Sequence, residues 1–331
     1  MRKKKNIVLE RVTVEDYAAE GKSLTRKEGK VIFIENAVPG DVVDVRLGKN
    51  KKDWAEGYPI KFHSLSAERV TPFCQHFGVC GGCQWQMLPY EKQLKYKQQQ
   101  VFDNLRRIGK LTDLTVLPII GAEETRFYRN KLEYTFGTKE FTPERPAVTN
   151  HTPIPQAQVP SQVVGFHAKG FFDKIVQVEK CWLQPEPTNQ LRNAIRSFAV
   201  DRRLSFYDIR AHKGLLRTMQ VRICTTGEMM VNIVLGESNK NEIDQVMNFV
   251  ANAFPQITTL LYTINLKFND SLSDLQPVTF TGSGYVFEQL ENFRFKIGPK
   301  SFFQTNSRQA ETLYRIARDF AELNGSQVVY D

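Results

Sequence analysis

The composition of the chain is that of a folded, basic protein. It has 331 residues, of which 41% are hydrophobic and 24% are charged, and its formal net charge is +9 at pH 7. This length predicts two or three domains, and the absence of apolar runs near ~18 residues excludes a membrane-spanning helix. We therefore expect a cytoplasmic protein with no membrane association and a polyanionic partner.

The first 70 residues predict a small β-barrel. Strand patterns at 30–35 and 42–47 flank a turn sequence, Val38-Pro39-Gly40-Asp41. Basic and aromatic side chains then crowd one short stretch: Lys49, Lys51, Lys52, Trp54 and Tyr58. This combination suits phosphate contact with base stacking, and it suits a solvated hairpin about equally well.

Three of the five cysteines form a C-x5-C-x2-C motif, with glycines between them that let the backbone curl. They are Cys74, Cys80 and Cys83, and Cys181 is well placed at a predicted strand end to supply a fourth thiolate. Cys224, in an alternating run, is predicted to be a buried strand residue.

Three interpretations of this motif are open. A disulfide framework is disfavoured, because the cysteines are few for the length and no secretory signal opens the chain. A zinc site that includes His76 is the second. An iron–sulfur cluster is favoured, because the uneven spacing departs from the paired C-x2-C knuckles of structural zinc.

The N-terminal pattern and the cysteine motif together resemble one family. The relevant stretches are Gly21-Lys22, 29–34, 38–43 and 69–74, which resemble the TRAM RNA-binding domain and cysteine motif of the RNA uracil-C5 methyltransferases. The resemblance implies methylation of uridine C5 with S-adenosylmethionine. It also implies a [4Fe-4S] cluster on Cys74, Cys80, Cys83 and Cys181. Its implied substrate is a structured RNA, with ribosomal RNA favoured and tRNA as the alternative.

The next segments predict a helix, a strand and a long loop. A helix over 89–108 places Leu94, Val101, Phe102, Leu105 and Ile108 on one face, which we expect to face a core. A strand at 132–136 follows Arg129 and Lys131, in a segment that resembles the family's RNA-facing sheet. The proline-rich stretch 137–162 predicts an exposed loop.

The remaining central sequence predicts an α+β domain. Strands are expected at 163–167, 175–178, 229–235 and 258–264, helices at 187–200 and 241–253, and a hairpin at 284–297. Residues 192–223 carry eight basic side chains against two acidic ones. Within them we select Arg210, Lys213 and Arg217 as phosphate contacts.

The last 30 residues predict the start of a doubly wound domain. Asn306 caps a helix whose buried stripe is Ala310, Leu313, Tyr314 and Ala317, and 328–330 begins a strand. The segment at 302–306 resembles the family's Phe-Phe-Gln-x-Asn motif, which implies that Gln304 contacts S-adenosylmethionine. The family's nucleophilic cysteine is expected beyond Asp331, so we expect a C-terminally truncated, inactive chain.

These inferences combine into a multidomain prediction. Residues 1–70 form the TRAM-like, OB-like β-barrel, and 71–90 with 122–298 form the cluster-bearing α+β central domain. Residues 91–121 and 299–331 start an incomplete doubly wound α/β methyltransferase domain. The alternative is a non-catalytic RNA-binding iron–sulfur or zinc protein.

Overall fold

The chain divides into two compact units, Met1–Glu123 and Glu124–Asp331. The computed structural model describes residues 7–142 and 161–330. The proline-rich part of the predicted loop, 143–160, lies outside the described residues. Within the described residues, no helix combines the length and apolar character needed to cross a bilayer. The predicted domain boundaries stay a prediction.

The first unit is built on a six-stranded sheet. Its strands are β1 (Val8–Thr13), β2 (Asp16–Tyr17), β3 (Ser23–Lys27), β4 (Lys30–Ile34), β5 (Val42–Asn50) and β6 (Trp54–Ser64). They are ordered β1-β5-β6-β4-β3-β2, and only β4 and β6 pair in parallel. The strands predicted from the alternating runs are therefore confirmed. Alternate residues such as Ile32, Ile34, Val43 and Val45 are buried in one core.

A buried carboxylate fixes the turn between β4 and β5. Asp41 is fully buried and accepts hydrogen bonds from the amides of Val38 (2.7 Å) and Ser66 (2.8 Å) and from Nε of Arg69 (2.9 Å). Gly40 has φ +93°, a conformation that glycine adopts without steric cost. The turn predicted at 38–41 is therefore confirmed.

The predicted helix after the cysteine motif is confirmed, but its apolar face is not in a core. Helix α1 (Tyr90–Asp103) continues into one π-helical turn, Asn104–Ile108, and neither contains a buried residue. Val101 is 49% exposed and Ile108 79%. The expectation of a core-facing stripe is wrong for this structure, because Val101, Phe102 and Ile108 are exposed and Leu94 and Leu105 are only half-buried.

The second unit contains a seven-stranded mixed sheet. Its strands are β7 (Lys131–Gly137), β8 (Val163–His167), β9 (Ile175–Gln177), β10 (Leu216–Ile223), β11 (Met229–Leu235), β12 (Thr259–Ile264) and β13 (Val278–Thr281). Their order is β13-β12-β11-β10-β7-β8-β9, with only β11 and β12 parallel. A parallel pair needs a crossover connection, which helix α3 (Lys240–Ala253) provides.

The two faces of the central strands have opposite characters. Helix α2 (Thr188–Asp201) contacts α3 and β8, and Phe198 stacks on Phe249 with ring centroids 4.1 Å apart. One set of alternate residues, which includes Leu132, Tyr134 and Met219, is buried. The other set is polar: Lys131, Glu133 and Thr135 on β7 lie opposite Arg222, Gln220 and Thr218 on β10. We call these six residues the polar strip.

A hairpin and a helix complete the second unit. Strands β14 (Val286–Leu290) and β15 (Phe293–Ile297) pair antiparallel, and helix α4 (Ser307–Ala321) follows. The Asn306 side chain accepts a hydrogen bond from the Gln309 amide at 3.1 Å, so the predicted cap is confirmed.

One expectation for the C-terminal segment is wrong, and the predicted strand after it is unpaired within the described chain. Of the predicted stripe on α4, Ala310 is buried, whereas Leu313 and Tyr314 are at least half exposed. Residues 328–330 form no strand within the described chain, and Tyr330 is 91% exposed. A strand requires a hydrogen-bonded neighbour, and no described strand pairs with this segment.

Candidate functional site

The loop between β15 and α4 presents Gln304 at the surface. The Gln304 side chain is exposed, and Phe302 beside it is 84% exposed. Phe303 points the other way and packs on a buried cluster that includes Cys224, Met230 and Ile297. The loop is therefore anchored by one aromatic ring and offers a second ring and an amide to a ligand.

Asn130 ties this loop to the start of β7. Its buried Nδ2 donates to the carbonyl of Gln304 and to Oγ of Ser307, both at 2.8 Å, and its amide donates to the carbonyl of Thr305 at 2.7 Å. The Ile223 amide donates to the carbonyl of Asn130 at 2.8 Å. One residue thus fixes the loop relative to two strands of the sheet.

A buried carboxylate lies behind the same loop. Glu288 is fully buried and accepts hydrogen bonds from Oγ of Ser307 (2.7 Å), from the amide of Thr225 (2.8 Å) and from the Thr225 hydroxyl. These donors compensate the cost of burying the carboxylate, and they connect the first residue of α4 to the hairpin.

Two cations of the polar strip lie next to the loop. Arg222 is buried, and its Nη2 donates to the carbonyl of Ser301 at 3.1 Å, while its Nε and Nη1 have no hydrogen-bond partner within the described chain. Burial lowers the pKa of Arg222. Burial, and then the charge of Arg222, also lower the pKa of Lys131.

A cleft of about 270 Å³ lies at the other end of β7 and β10. Its lining includes Glu133, Thr135, His167, Phe172, Tyr207 and Thr218. His167 is half-buried, its Nε2 lies 3.4 Å from Oγ1 of Thr135, and burial lowers its pKa. Sequence reasoning missed this cleft, because its lining comes from segments between residues 133 and 270.

Arg217 forms the floor of the cleft. It is 2% exposed, and its Nε and Nη2 donate to Oδ1 of Asp270 at 3.0 and 2.8 Å. Its remaining donors reach the carbonyls of Asn265, Lys267 and Asn269. The guanidinium carbon lies 4.3 Å from the ring centroid of Tyr207. Because all five N–H donors are used within the protein, the prediction that Arg217 contacts phosphate is corrected to a structural role.

Two relatives decide the family. An RNA methyltransferase of Bacteroides thetaiotaomicron is 48% identical over 318 residues, which cover 95% of this chain and 69% of the relative. An RNA methyltransferase of Porphyromonas gingivalis is 43% identical over 321 residues, which cover 96% of this chain and 68% of the relative. This chain belongs to the RNA methyltransferases. No family model matches it.

A solved methyltransferase structure shares the fold. The Pyrococcus abyssi tRNA (uracil-54, C5)-methyltransferase in complex with S-adenosyl-L-homocysteine superposes with a TM-score of 0.65 at 23% identity, over 93% of this chain and 64% of that chain. The chain thus spans about two thirds of the length of the methyltransferases it matches. The expectation that it is truncated and inactive stays a prediction.

The other predicted RNA contacts of this RNA methyltransferase lie at the surface or beside the strip. In the first unit, Lys51 and Lys52 are exposed, and Lys49 forms an ion pair with Glu56 at 3.0 Å. In the second unit, Lys213 is exposed, Arg210 pairs with Asp173 at 2.6 Å, and Arg129 Nε donates to the carbonyl of Lys131 at 3.4 Å. All remain predicted RNA contacts except Arg217.

The predicted cluster ligands fall in both units. Cys74, Cys80 and Cys83 lie in the first unit, on a loop of turns where the Gly82 amide donates to Sγ of Cys80 at 3.4 Å, and buried Cys181 lies in the second. Thiols and an amide donor to sulfur suit an iron–sulfur cluster. Over residues 7–142 and 161–330, however, no three His, Cys, Asp or Glu side chains converge as a metal-ligand group. The cluster and its four ligands stay a prediction.

Cys224 is buried, as the sequence predicted, but it lies one residue after β10 and not within a strand. Burial, followed by the charge of Glu288, raises its pKa to about 12. A thiol in this setting stays protonated at neutral pH and is a poor nucleophile.

Proposed function

We propose that the protein methylates C5 of uridine in a structured RNA, with S-adenosylmethionine as the methyl donor. The observation that carries the proposal is the 48% identity to an RNA methyltransferase. The choice of uridine C5 is supported by the fold shared with a tRNA (uracil-54, C5)-methyltransferase and by the Phe302–Asn306 motif.

The donor would be held at the loop before α4. The exposed amide of Gln304 can both donate and accept a hydrogen bond, and the network of Asn130, Ser307 and Glu288 holds the loop that carries it. When bound, the sulfonium cofactor supplies an electrophilic methyl group. The buried hydrogen bonds keep the Gln304 backbone in place before the ligand arrives, which lowers the entropic cost of binding.

Uracil C5 is a weak nucleophile until a thiolate adds to C6. Cys224 is unsuited to that role, because its thiol is buried and its pKa is raised to about 12. We therefore assign Cys224 to the packing behind Phe303 and not to the reaction.

The direct test is methyl transfer by the protein expressed from its gene. Labelled S-adenosylmethionine is supplied with unmodified tRNA or ribosomal RNA transcripts, and the product nucleosides are identified by mass spectrometry. We expect 5-methyluridine in one of the two RNAs. Label on another nucleoside would contradict the uridine assignment, and absence of label would contradict the activity.

A matched pair of glutamine variants tests the cofactor contact. Gln304→Ala should weaken S-adenosylmethionine binding about fivefold, the equivalent of one hydrogen bond of ~1 kcal/mol. Gln289→Ala is the control, since Gln289 is also exposed and its Nε2 donates only to the carbonyl of Glu291. Equal affinities of the two variants for S-adenosylmethionine would show that Gln304 does not contact the cofactor.

A further inference from the structure

The cleft at the far end of β7 and β10 has the properties of a nucleobase pocket. We propose that it binds an unpaired base of the substrate RNA, at a position other than the target uridine. This inference rests on the proposed function only in taking RNA as the ligand.

The charge of the lining favours a base over a phosphate. Four carboxylates line the cleft against two cations: Glu133, Asp173, Asp208 and Asp270 against Lys139 and Arg217. A phosphate entering this cleft would face net negative charge. A neutral base carries N–H donors, which carboxylate and hydroxyl oxygens can accept.

The carboxylates are already fixed by the protein. Asp173 is paired with Arg210 at 2.6 Å, Asp208 accepts from the amide of Arg210 at 2.8 Å and from Oγ1 of Thr138 at 2.9 Å, and Asp270 is paired with Arg217. The hydrogen-bonding groups of the cleft are therefore pre-oriented, which favours selection of one base edge over loose ion binding.

Several lining groups match the edge and the face of a base. His167 has a lowered pKa and is therefore a neutral imidazole at pH 7, with one nitrogen donor and one acceptor. Thr135 and Thr218 add hydroxyls. Phe172 is 61% exposed, and the guanidinium carbon of Arg210 lies 5.0 Å from the centroid of its ring. This pair forms an aromatic wall at the mouth and places a cation where the backbone phosphate of an inserted base would lie.

The polar strip connects the cleft to the Gln304 loop. The pair Thr218–Thr135 borders the cleft, the pair Arg222–Lys131 borders the loop, and Gln220 donates to Glu133 at 3.0 Å between them. Four residues along a strand span ~13 Å, which is the rise of about four stacked nucleotides. One RNA can therefore place a base in the cleft and its target uridine at the loop.

The experiment measures RNA affinity as a function of salt for two adjacent phenylalanine variants. Phe172→Ala should weaken RNA binding about fivefold to 100-fold, the effect of losing one base–aromatic stack, without changing the salt slope, because no phosphate contact is lost. Phe171→Ala is the matched control. Phe171 is also exposed, but it packs on Phe141 and does not line the cleft. The Phe171→Ala variant should bind RNA with the affinity of the unmodified protein.

Photocrosslinking locates the base independently of variant stability. RNA carrying 4-thiouridine is irradiated with the protein, and we expect crosslinked peptides that contain Phe172 or Tyr207. Crosslinks elsewhere in the second unit and none to these peptides, or equal affinities for the two phenylalanine variants, would overturn the proposal. RNA binding at the cleft without methyl transfer would leave this inference standing while contradicting the proposed activity.

Discussion

The side chain of Asn130 controls the loop that carries Gln304. Its Nδ2 is shared between the Gln304 carbonyl and the Ser307 hydroxyl. Asn130→Ala should lower the free energy of unfolding by about 1–3 kcal/mol, because both oxygens lose a donor in a buried setting. Denaturant unfolding measures this difference. Asn193→Ala serves as the control: at a more exposed position, it removes a hydrogen bond from Nδ2 to the carbonyl of Glu179 and one that Oδ1 accepts from Nη2 of Arg192. Equal losses in the two variants would argue against a special role for Asn130.

His167 should make the stability of the second unit depend on pH. Burial lowers its folded pKa below the ordinary value of 6.5, so the unfolded chain binds the proton first as the pH falls. The contribution of His167 to the unfolding free energy is fully present above pH ~6.5 and is lost as the pH falls through the folded pKa. As the pH falls from ~6.5 through the folded pKa, we expect the unfolding free energy of His167→Gln to decrease less than that of the unmodified protein. Parallel curves of unfolding free energy against pH for the two proteins would contradict this.

At the scale of elements, helix α4 depends on its cap. Asn306→Ala removes the hydrogen bond to the Gln309 amide and should cost about 0.5–2 kcal/mol. The Gln304 loop ends at this cap, so the same variant should weaken S-adenosylmethionine binding. Asn324→Ala is a matched control, because the Asn324 side chain bonds only to Ser326 beyond the helix. Equal melting temperatures for the two variants would show that the hydrogen bond of the cap does not stabilise α4.

At the scale of the whole molecule, the predicted cluster takes its four thiolates from Cys74, Cys80, Cys83 and Cys181. Protein purified without oxygen should contain iron and sulfide in equal amounts, and Cys181→Ser should lose them, since ligation and folding are coupled. Cys224→Ser is the control, because Cys224 is equally buried in the second unit but is packed behind Phe303. Metal analysis that finds zinc, or iron retained in Cys181→Ser, would contradict the predicted ligand set.

The net charge of +9 predicts salt-dependent RNA binding. Replacing Arg210 and Lys213 together should flatten the plot of log affinity against log salt by about two units, and replacing Lys51 and Lys52 should do the same. Arg217 provides the contrast. Its guanidinium is buried, so Arg217→Met should destabilise the fold and leave the salt slope of the folded fraction unchanged. An unchanged salt slope in both double variants would show that these four cations contact solvent and not RNA phosphates.

The sequence alone determined the features that depend on neighbours along the chain. The strands β4, β5 and β7, the helices α2 and α3 and the cap at Asn306 follow from hydrophobic periodicity and capping, which act over a few residues. The motif at 302–306 also identified the loop that carries Gln304.

Contacts between segments that are distant in sequence determine which side chains remain available to a ligand. Arg217 and Asp270 are 53 residues apart in sequence, so their ion pair, and with it the loss of Arg217 as a phosphate contact, could not be deduced from a local charge count. The exposed faces of α1 and α4 have the periodicity of buried ones, because periodicity shows that a helix has an apolar face and not what covers it. The cleft exists because strand pairing brings residues such as Thr135 and Thr218 side by side, and that pairing is a property of the folded sheet.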